Sequence, residues 1–411
     1  MNYSNLINLQ EPPKSKKGWP WTQETPITSI FANDKNFWPK ISIITPSYNQ
    51  GQFIEETIRS VLLQNYPNIE YIIIDGGSTD GSIEVIRKYE RWITYWVSEP
   101  DDGQTNAINK GFQKATGEIV AWLNSDDFYT PGALFSVAKA FLEKPNADVI
   151  YGNIKTVGVK TLKFPNICLN KYSRKRLFYS NYIPQPASFI SINALRKVKF
   201  LDERFDYIMD YDLWMRLGKE NVIFHYIPKT LAYFRFHRNS KTVSQQEEFW
   251  WEILEMFDNI LRCEALEPDL AHIAYSRIFE LLVYLSFSKM SLDNLKSTKK
   301  INQHNHWRRS FLFHAIQEIK TSFFENNNTL QVSLHKFYRI LRDEYNKGED
   351  SNFPKFDSEW VNQQIVLLPI HLLNIKEKEK ALIIYKKNIN TNPCLLKYVE
   401  TYKYLIKHFL T

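Results

Sequence analysis

Two adjacent carboxylates, Asp126 and Asp127, directly follow an apolar run from Ile119 to Leu123. Such a run is typical of a buried strand, and in an open α/β sheet ligands bind beyond the carboxyl ends of the strands. Two carboxylates placed there repel each other and lose solvation unless a cation lies between them. Oxygen ligands of this kind suit Mg²⁺ or Mn²⁺, which in turn hold phosphate groups. One Asp would suffice to cap the helix expected near Pro131, so the pair favours a metal site.

The elements that must position these carboxylates alternate between strand and helix patterns from residue 40 onward. Apolar runs predict strands at 41–45, 71–74, 95–97, 119–123 and 149–151. Helical spacing predicts helices at 52–64, 82–89, 105–115 and 131–142. Repeated β-α units of this length predict an α/β fold with a mainly parallel, Rossmann-like sheet and helices on both faces.

Four of the predicted strands end in polar residues, and in a doubly wound sheet such ends converge on one edge. Any one of them is compatible with plain turn chemistry, but acids in three of the four favour a shared site. The four segments are Thr45-Pro46-Ser47-Tyr48-Asn49, Asp75-Gly76-Gly77-Ser78-Thr79-Asp80-Gly81-Ser82, Glu99-Pro100-Asp101-Asp102-Gly103 and Asn124-Ser125-Asp126-Asp127.

The length of 411 residues predicts two domains with a small appendage. Residues 1–38 form a polar N-terminal arm with a Trp-Pro-Trp cluster, 39–245 the α/β domain and 246–411 an α-helical C-terminal domain. Amphipathic patterns predict helices at 250–261, 271–285, 307–324, 330–345 and 360–373. These helices either form only a core of their own or also present a platform to a membrane surface or a partner.

Cysteine content and charge indicate the redox compartment of the protein and the kind of partner that it binds. The three cysteines are far apart and match no disulfide framework or metal spacing, which is typical of a reducing compartment. With neither a leader sequence nor a stretch of about 20 apolar residues, we expect a cytoplasmic protein, free or peripheral at the inner face of the membrane. Residues 151–200 carry ten Lys or Arg and no acid. They predict an anionic partner unless they are simply a solvated face, and no nucleic-acid-binding motif accompanies them.

The four polar segments, together with Asn109-Lys110-Gly111, resemble glycosyltransferase family 2, whose members have a GT-A fold. The resemblance covers about residues 40–240 and implies a nucleotide-sugar donor held by Mn²⁺ or Mg²⁺. It implies that Asp75 hydrogen-bonds the base, usually uracil. The donor-binding residues that it implies are Thr45, Pro46, Ser47, Tyr48, Asn49, Asp75, Ser78, Asp102, Lys110, Asn124, Ser125 and Asp126; Lys110 is equally compatible with a solvated helix residue.

Two positions depart from the family pattern. Asn124 replaces the first acid of the family's Asp-x-Asp motif, so we assign the metal to Asp126 and Asp127, leaving open which dominates. Met209 replaces the first acid of a second motif, in which Asp210 matches the general base of inverting members. The alternatives are Asp212 as the base, or a purely capping role for Asp210.

Two further residues lie in segments that resemble the family's. His237 follows an aromatic strand and resembles a histidine that reaches the metal or the diphosphate; a structural role is the alternative. Gln185 lies in a Pro-Gln-Pro loop that resembles an acceptor-side loop, where it would hydrogen-bond a sugar hydroxyl or form only a rigid turn.

We therefore predict an inverting, metal-dependent hexosyl- or N-acetylhexosaminyltransferase. It would move a sugar from a UDP-type donor to a hydroxyl of a glycan or lipid-linked anionic acceptor, in cell-surface polysaccharide synthesis. The alternative is a catalytically degenerate scaffold that binds nucleotide sugars. A nucleotidyltransferase is disfavoured because no basic residue follows the first strand before Arg59. A dinucleotide-dependent oxidoreductase is disfavoured because no Gly-x-Gly-x-x-Gly follows it.

Overall fold

The computed structural model describes residues 9, 11–26, 38–158, 171–237 and 246–264, together with 266, 267, 269–271, 273, 274, 277, 278 and 281. The chain divides into two compact units, Met1–Ser244 and Gln245–Thr411. The first unit contains the sheet and the polar segments that follow its strands.

The strands of the first unit are β1 (Ile41–Ser47), β2 (Ile69–Asp75), β3 (Tyr95–Ser98), β4 (Ile119–Trp122), β5 (Phe128–Tyr129), β6 (Val149–Gly158), β7 (Ser188–Ser191) and β8 (Phe224–Phe236). They form one eight-stranded sheet in the order β3-β2-β1-β4-β7-β6-β8-β5. Strands β1 to β4 pair in parallel, as do β6 and β8, whereas β7 is antiparallel to β4 and β6, and β5 to β8. The predicted α/β fold with a mainly parallel sheet is confirmed; β5 and β7, which are two and four residues long, were not predicted.

Helices cover both faces of this sheet because β1 is apolar on both sides. Ile43 packs in one core cluster with Ile54 and Ile58 of α1 (Ile54–Leu62). The next residue, Ile44, lies against Gly111 of α3 (Gln104–Lys114), so closely that a Cβ added at that glycine would clash with it. Successive strand residues point to opposite faces, so α1 and α3 lie on opposite sides. The other helices of the first unit's described part are α2 (Ser82–Tyr89), α4 (Ala133–Glu143), α5 (Arg174–Tyr179), α6 (Ile192–Lys197) and α7 (Met209–Lys219).

The aromatic cluster of the N-terminal segment docks against the sheet unit. The indole N–H of Trp19 donates to the carbonyl of Tyr129 over 2.7 Å. Arg59, fully buried on α1, donates to the carbonyls of Pro20 (3.0 Å) and Trp21 (2.7 Å). A buried guanidinium needs such acceptors to offset its lost hydration, so the segment and α1 hold each other in place.

The second unit is described mainly through one helix, α8 (Gln246–Cys263), at the position of the helix predicted for 250–261. Trp251, Leu254 and Phe257 form its buried side. Isolated residues between 269 and 281 are also helical. The predicted helices at 307–324, 330–345 and 360–373 lie outside the described residues, so the helical C-terminal domain stays a prediction. None of the helices in the part that the structure describes is long and apolar enough to cross a membrane.

An ion pair with a buried carboxylate, that of Glu70, lies at the end of the strands opposite the polar segments. Glu70 accepts from Lys40 Nζ (2.8 Å), Ser42 Oγ (2.5 Å) and both the N–H (2.7 Å) and the hydroxyl (2.6 Å) of Thr116. Burial alone would raise the pKa of Glu70, but these hydrogen bonds outweigh it and lower the pKa to about 2. The carboxylate thereby joins the start of β1 and β2 to the turn before β4.

Replacing Glu70 by Gln is expected to lower the free energy of unfolding at pH 7 by about 3 kcal/mol, the value of its pKa depression. Because the pKa of Glu70 is lowered on folding, its contribution is complete above pH 4.5 and is lost as the pH falls towards 2. Urea denaturation of both proteins across this range measures the difference, with Glu90→Gln at an exposed position as the control. A pH-independent difference would contradict the assignment.

Candidate active site

The carboxylate of Asp75, at the end of β2, is enclosed by hydrogen-bond donors. Its Oδ1 accepts from the hydroxyls of Ser47 (2.9 Å) and Ser78 (2.6 Å). Its Oδ2 accepts from Ser98 Oγ (2.7 Å) and from the N–H groups of Gly77 (3.1 Å) and Ser78 (2.8 Å). The residue is fully buried. Asp75 therefore ties the ends of β1, β2 and β3 together, and a nucleotide base can bond it only where a serine hydroxyl gives way.

The segment that ends β1 divides into a buried and an exposed part. Thr45 is fully buried, with its hydroxyl 3.1 Å from that of Tyr71. Pro46 is buried too. Tyr48 is 64% exposed, so its ring is the large side chain that this segment offers to a ligand. The Thr45 side chain is enclosed in the core and is not part of that exposed surface.

Asn49 joins the first polar segment to the second. It has a left-handed backbone conformation, with φ of 52°, which Asn tolerates better than most residues. Its N–H donates to Ser78 Oγ (2.8 Å), and its Oδ1 accepts from the N–H of Thr79 (2.9 Å). The two segments predicted to bind the nucleotide thus form one hydrogen-bonded rim.

The adjacent carboxylates of Asp126 and Asp127 point into different surroundings. Asp127 is buried; its Oδ1 accepts from the N–H of Arg235 (2.9 Å), and its Oδ2 has no hydrogen-bond partner among the described residues. Burial, and then the charge of Asp126, raise the pKa of Asp127 well above its ordinary value. Asp126 is partly exposed, and its Oδ2 lies 2.9 Å from Nε2 of His237. Of the two, Asp126 faces the solvent-accessible side.

One hydroxyl on α1 holds the turn that carries these acids. Thr57 Oγ1 lies 2.9 Å from the carbonyl oxygen of Ser125 and 2.6 Å from that of Asp127. Both Thr57 and Ser125 are buried. The turn is therefore fixed through its backbone, and the Ser125 side chain contributes to packing beneath the surface.

Arg235, on β8, braces the same turn from the other side. Its Nε donates to the carbonyl of Asp126 (2.8 Å), and its Nη2 pairs with Glu56 Oε2 (2.7 Å). The guanidinium lies over the rings of Phe53 and Phe128, at 4.9 and 5.2 Å from their centroids. No role for Arg235 was predicted from the sequence, because its partners lie on α1 and in the 126–128 turn, far away along the chain.

His237 follows the end of β8, and its ring lies 4.8 Å from that of Phe53. Together with Asp126 it forms a pair of potential metal ligands at the surface of the turn. Within the described ranges, no three His, Cys, Asp or Glu side chains are grouped to hold a metal ion. The metal assignment of Asp126, Asp127 and His237 therefore stays a prediction.

Asn124 lies in a row of side-chain amides. Its Oδ1 accepts from Gln104 Nε2 (2.8 Å), and its Nδ2 donates to Gln185 Oε1 (3.3 Å). Gln185 is buried, and its Nε2 donates to the carbonyl of Trp122 (2.6 Å). Both polar atoms of Gln185 are thus bonded inside the protein, and its predicted contact with an acceptor stays untested.

Asp210 lies in the first turn of α7 and keeps access to solvent. Its Oδ1 accepts from the N–H of Tyr211 (2.8 Å) and its Oδ2 from Asn181 Nδ2 (2.9 Å). Burial raises the pKa of Asp210, and these two hydrogen bonds oppose the increase. Each oxygen retains a lone pair, so the carboxylate can still accept a proton.

Asp212 is only two residues away but is bonded differently. It is 6% exposed, and its Oδ2 accepts from Arg216 Nε (2.7 Å). Arg216 also donates to the carbonyls of Val198 (2.7 Å) and Phe200 (2.8 Å). Burial raises the pKa of Asp212 to about 6 despite the arginine. Asp212 therefore serves to anchor the loop before α7 and is closed off from a ligand.

Helix α3 positions the start of α7. Thr105 Oγ1 donates to the carbonyl of Phe205 (2.6 Å), and Asn109 exchanges hydrogen bonds with the backbone of Leu201 (3.0 and 3.1 Å). These buried contacts hold the loop that leads to Asp210. Also on α3, Lys110 pairs with Glu99 (3.0 Å), and both are substantially exposed.

Asp102, in the loop before α3, is exposed. No hydrogen bond or ion pair in the described part of the chain gives either Asp102 or Lys110 a donor-binding geometry, and their predicted roles stay predictions. Their neighbour Asp101 is turned inward, with Oδ1 accepting from the N–H of Gly103 (2.9 Å).

Replacing Arg235 by Met removes the charge while keeping apolar bulk between the two phenylalanine rings. Hydrogen bonds to charged groups contribute about 1.5–3 kcal/mol, so we expect the free energy of unfolding to fall by about 2 kcal/mol. Urea denaturation measures the loss. Arg91, an exposed arginine 4.0 Å from the ring centroid of Trp92, is the matched control, and Arg91→Met should cost less than about 1 kcal/mol. Equal losses would show that Arg235 does not brace the turn.

Known proteins resemble this chain in both sequence and fold. Residues 42–205 match the family model described as Glycosyl transferase family 2. An uncharacterised glycosyltransferase of Mycobacterium tuberculosis is 31% identical over 182 residues, which cover 43% of this chain and 68% of that protein. One from Rickettsia typhi is 29% identical over 222 residues, covering 51% of this chain and 69% of the relative. One from Nostoc is 34% identical over 137 residues, only 42% of its own length.

Among solved structures, S. aureus TarS residues 1–349 in complex with UDP-GlcNAc superimposes with a TM-score of 0.53 at 18% identity, covering 86% of this chain and 92% of that one. At that identity the likeness is one of fold. The sequence relatives also show the family, because one of them is matched over more than two thirds of its length at 31% identity. The chain belongs to glycosyltransferase family 2.

Proposed function

We propose that this glycosyltransferase is an inverting, metal-dependent enzyme that uses a UDP-sugar as its donor. The proposal is supported above all by the contacts of residues 181–185. This segment is bonded both to the predicted base and to the predicted donor-binding motif. Asn181 bonds the predicted base Asp210, and Gln185 bonds Asn124 of the motif that carries Asp126. Four residue steps span at most about 14 Å. The predicted base and the motif are thus tied to the same short segment, which supports the proposal that they act on one donor.

The donor side is the rim formed by the ends of β1 and β2. Tyr48 offers an exposed ring for a base, beside the enclosed carboxylate of Asp75. In the family resemblance that carboxylate accepts from a ring N–H, which favours uracil. S. aureus TarS, of the same fold, is known in complex with UDP-GlcNAc, and we extend the UDP-sugar class, without a choice of sugar, to this chain.

The residues at the turn fit a divalent ion of the Mg²⁺ or Mn²⁺ type. Carboxylate oxygens are ligands that such ions prefer, and a histidine nitrogen can complete the set. Asp126 Oδ2 and His237 Nε2 are 2.9 Å apart. The next residue, buried Asp127, has an Oδ2 without a hydrogen-bond partner among the described residues. These three side chains would hold the ion. Bound there, the ion would neutralise the charge of the leaving nucleoside diphosphate.

The acceptor hydroxyl would lose its proton to Asp210. As the oxygen of that hydroxyl bonds the anomeric carbon, the bond from this carbon to the diphosphate oxygen breaks on the opposite face. The proton moves to a carboxylate oxygen of Asp210. A single displacement of this kind inverts the configuration. Asp212 is unsuited to the role because it is buried and its Oδ2 already accepts a hydrogen bond from Arg216.

The acceptor is proposed to be a glycan or lipid-linked molecule with negative charge, as in cell-surface polysaccharide synthesis. The support is the basic helix α5, which carries Arg174, Lys175 and Arg176 and ends two residues before Asn181. Residues 159–170 of the same basic stretch lie outside the described residues. A location at the inner face of the membrane stays a prediction.

Replacing Asp126 by Ala is expected to abolish Mn²⁺-dependent binding of UDP, because the metal pair loses its exposed carboxylate. Calorimetric titration with UDP, with Mn²⁺ and with EDTA, measures this. Asp148→Ala is the control: this acid bonds the N–H of Ile223 at 3.0 Å, away from the motif. Unchanged binding in Asp126→Ala would refute the metal assignment.

Replacing Asp210 by Asn should leave UDP binding intact and lower turnover by about 10²-fold or more, the usual contribution of a positioned base. Release of UDP from a panel of UDP-sugars, with anionic glycans as acceptors, measures turnover. Full turnover in Asp210→Asn would remove Asp210 as the base. Donor binding without any turnover in the wild-type protein would favour a degenerate binding scaffold instead.

A further inference from the structure

The row of amides through Asn124 has a fixed direction. It begins at the carbonyl of Trp122, to which Gln185 Nε2 donates over 2.6 Å. Gln185 Oε1 then accepts from Asn124 Nδ2, and Asn124 Oδ1 accepts from Gln104 Nε2. Three side chains from three separate segments, at 104, 124 and 185, are thereby joined end to end.

The direction follows from chemistry rather than from the placement of individual atoms. A backbone carbonyl can only accept, so the amide nitrogen of Gln185 must face Trp122 and its oxygen must face Asn124. Asn124 must then turn its nitrogen to Gln185 and its oxygen to Gln104. Reversing any one amide would place two oxygens or two N–H groups against each other, and at Gln185 it would leave a buried polar group unsatisfied.

We propose that Gln185 is a positioning residue of the donor site, which acts by locking the amide of Asn124 in this one orientation. The inference rests on the proposed function, because Asn124 matters as part of the donor-binding motif. Gln185 is 8% exposed, and both of its polar atoms are bonded within the protein. In this role it orients Asn124 and does not itself contact the donor.

The lock accounts for the asparagine where the family has an acid. An aspartate at position 124 would turn an oxygen, instead of an N–H, towards Gln185 Oε1, which is now 3.3 Å from Nδ2. The neighbouring glutamine and the substituted motif position are thus a matched pair.

Replacing Gln185 by Met keeps its length and removes both hydrogen bonds. Calorimetry with UDP and Mn²⁺ on the full chain should show binding about 10-fold weaker, as expected for a lost hydrogen bond whose partner stays unsatisfied. Asn124→Ala should weaken binding by a similar factor. Because Gln185 acts through Asn124, the double variant should be about 10-fold weaker than wild type, not the about 100-fold of independent sites.

Gln64→Met is the matched control. Gln64 is also a buried glutamine, donating to the carbonyls of Ser60 (3.0 Å) and Thr130 (2.9 Å). Its replacement should lower the melting temperature without changing the affinity for UDP. If Gln185→Met does not fold, Gln104→Met removes the other end of the row, with the same expected loss of affinity.

The outcomes separate the two proposals. Wild-type protein that binds no UDP or other nucleoside diphosphate with Mn²⁺ overturns the proposed function itself. Wild-type binding that is unchanged in Gln185→Met, or losses that multiply in the double variant, overturn the positioning role alone. An effect confined to the KM for an acceptor would return Gln185 to the acceptor site.

Discussion

Two carboxylates on adjacent residues cannot both stay ionised in one small, poorly hydrated space, and the site is arranged around that constraint. Asp127 turns inward to the backbone N–H of Arg235, whereas Asp126 turns outward to His237. The guanidinium of Arg235 meanwhile binds the carbonyl of Asp126 and pairs with Glu56. One residue of β8 therefore serves both members of the pair, Asp127 through its main chain and Asp126 through its side chain.

That arrangement depends on strands far apart in the sequence being neighbours in space. Strand β5, which follows the acidic turn, pairs with β8 at Phe128 and Tyr233. The pairing places Arg235 and His237 beside the turn, although 109 and 111 residues separate them from Asp126 along the chain. A two-residue strand contributes little to stability by itself. Its role is to fix the register of β8. In that register the Arg235 guanidinium reaches the backbone of the turn, and the His237 imidazole reaches Asp126.

Periodicity and turn chemistry were sufficient to predict the parallel half of the sheet and the polar ends of its strands, because those features are local. Asp75, Asp126 and Asp210 stand out as acids at the ends of elements. The partners Arg235, Asn181 and Gln104 do not stand out, because an arginine or an amide on a strand, loop or helix has no characteristic spacing. Their significance arises from contacts across 29 residues for Asn181 and 109 for Arg235, which only the folded chain reveals.

The contrast between Asp210 and Asp212 shows how surroundings, rather than residue type, decide what a carboxylate can do. Both lie in the first turn of α7, and burial raises the pKa of each. Asp212 accepts from a guanidinium that is itself bonded to two carbonyls, so protonating it would break an ion pair that anchors a loop. Among the described residues, the donors to Asp210 are neutral, an amide and a backbone N–H. It can gain a proton without breaking an ion pair, and that difference is what a general base on this helix requires.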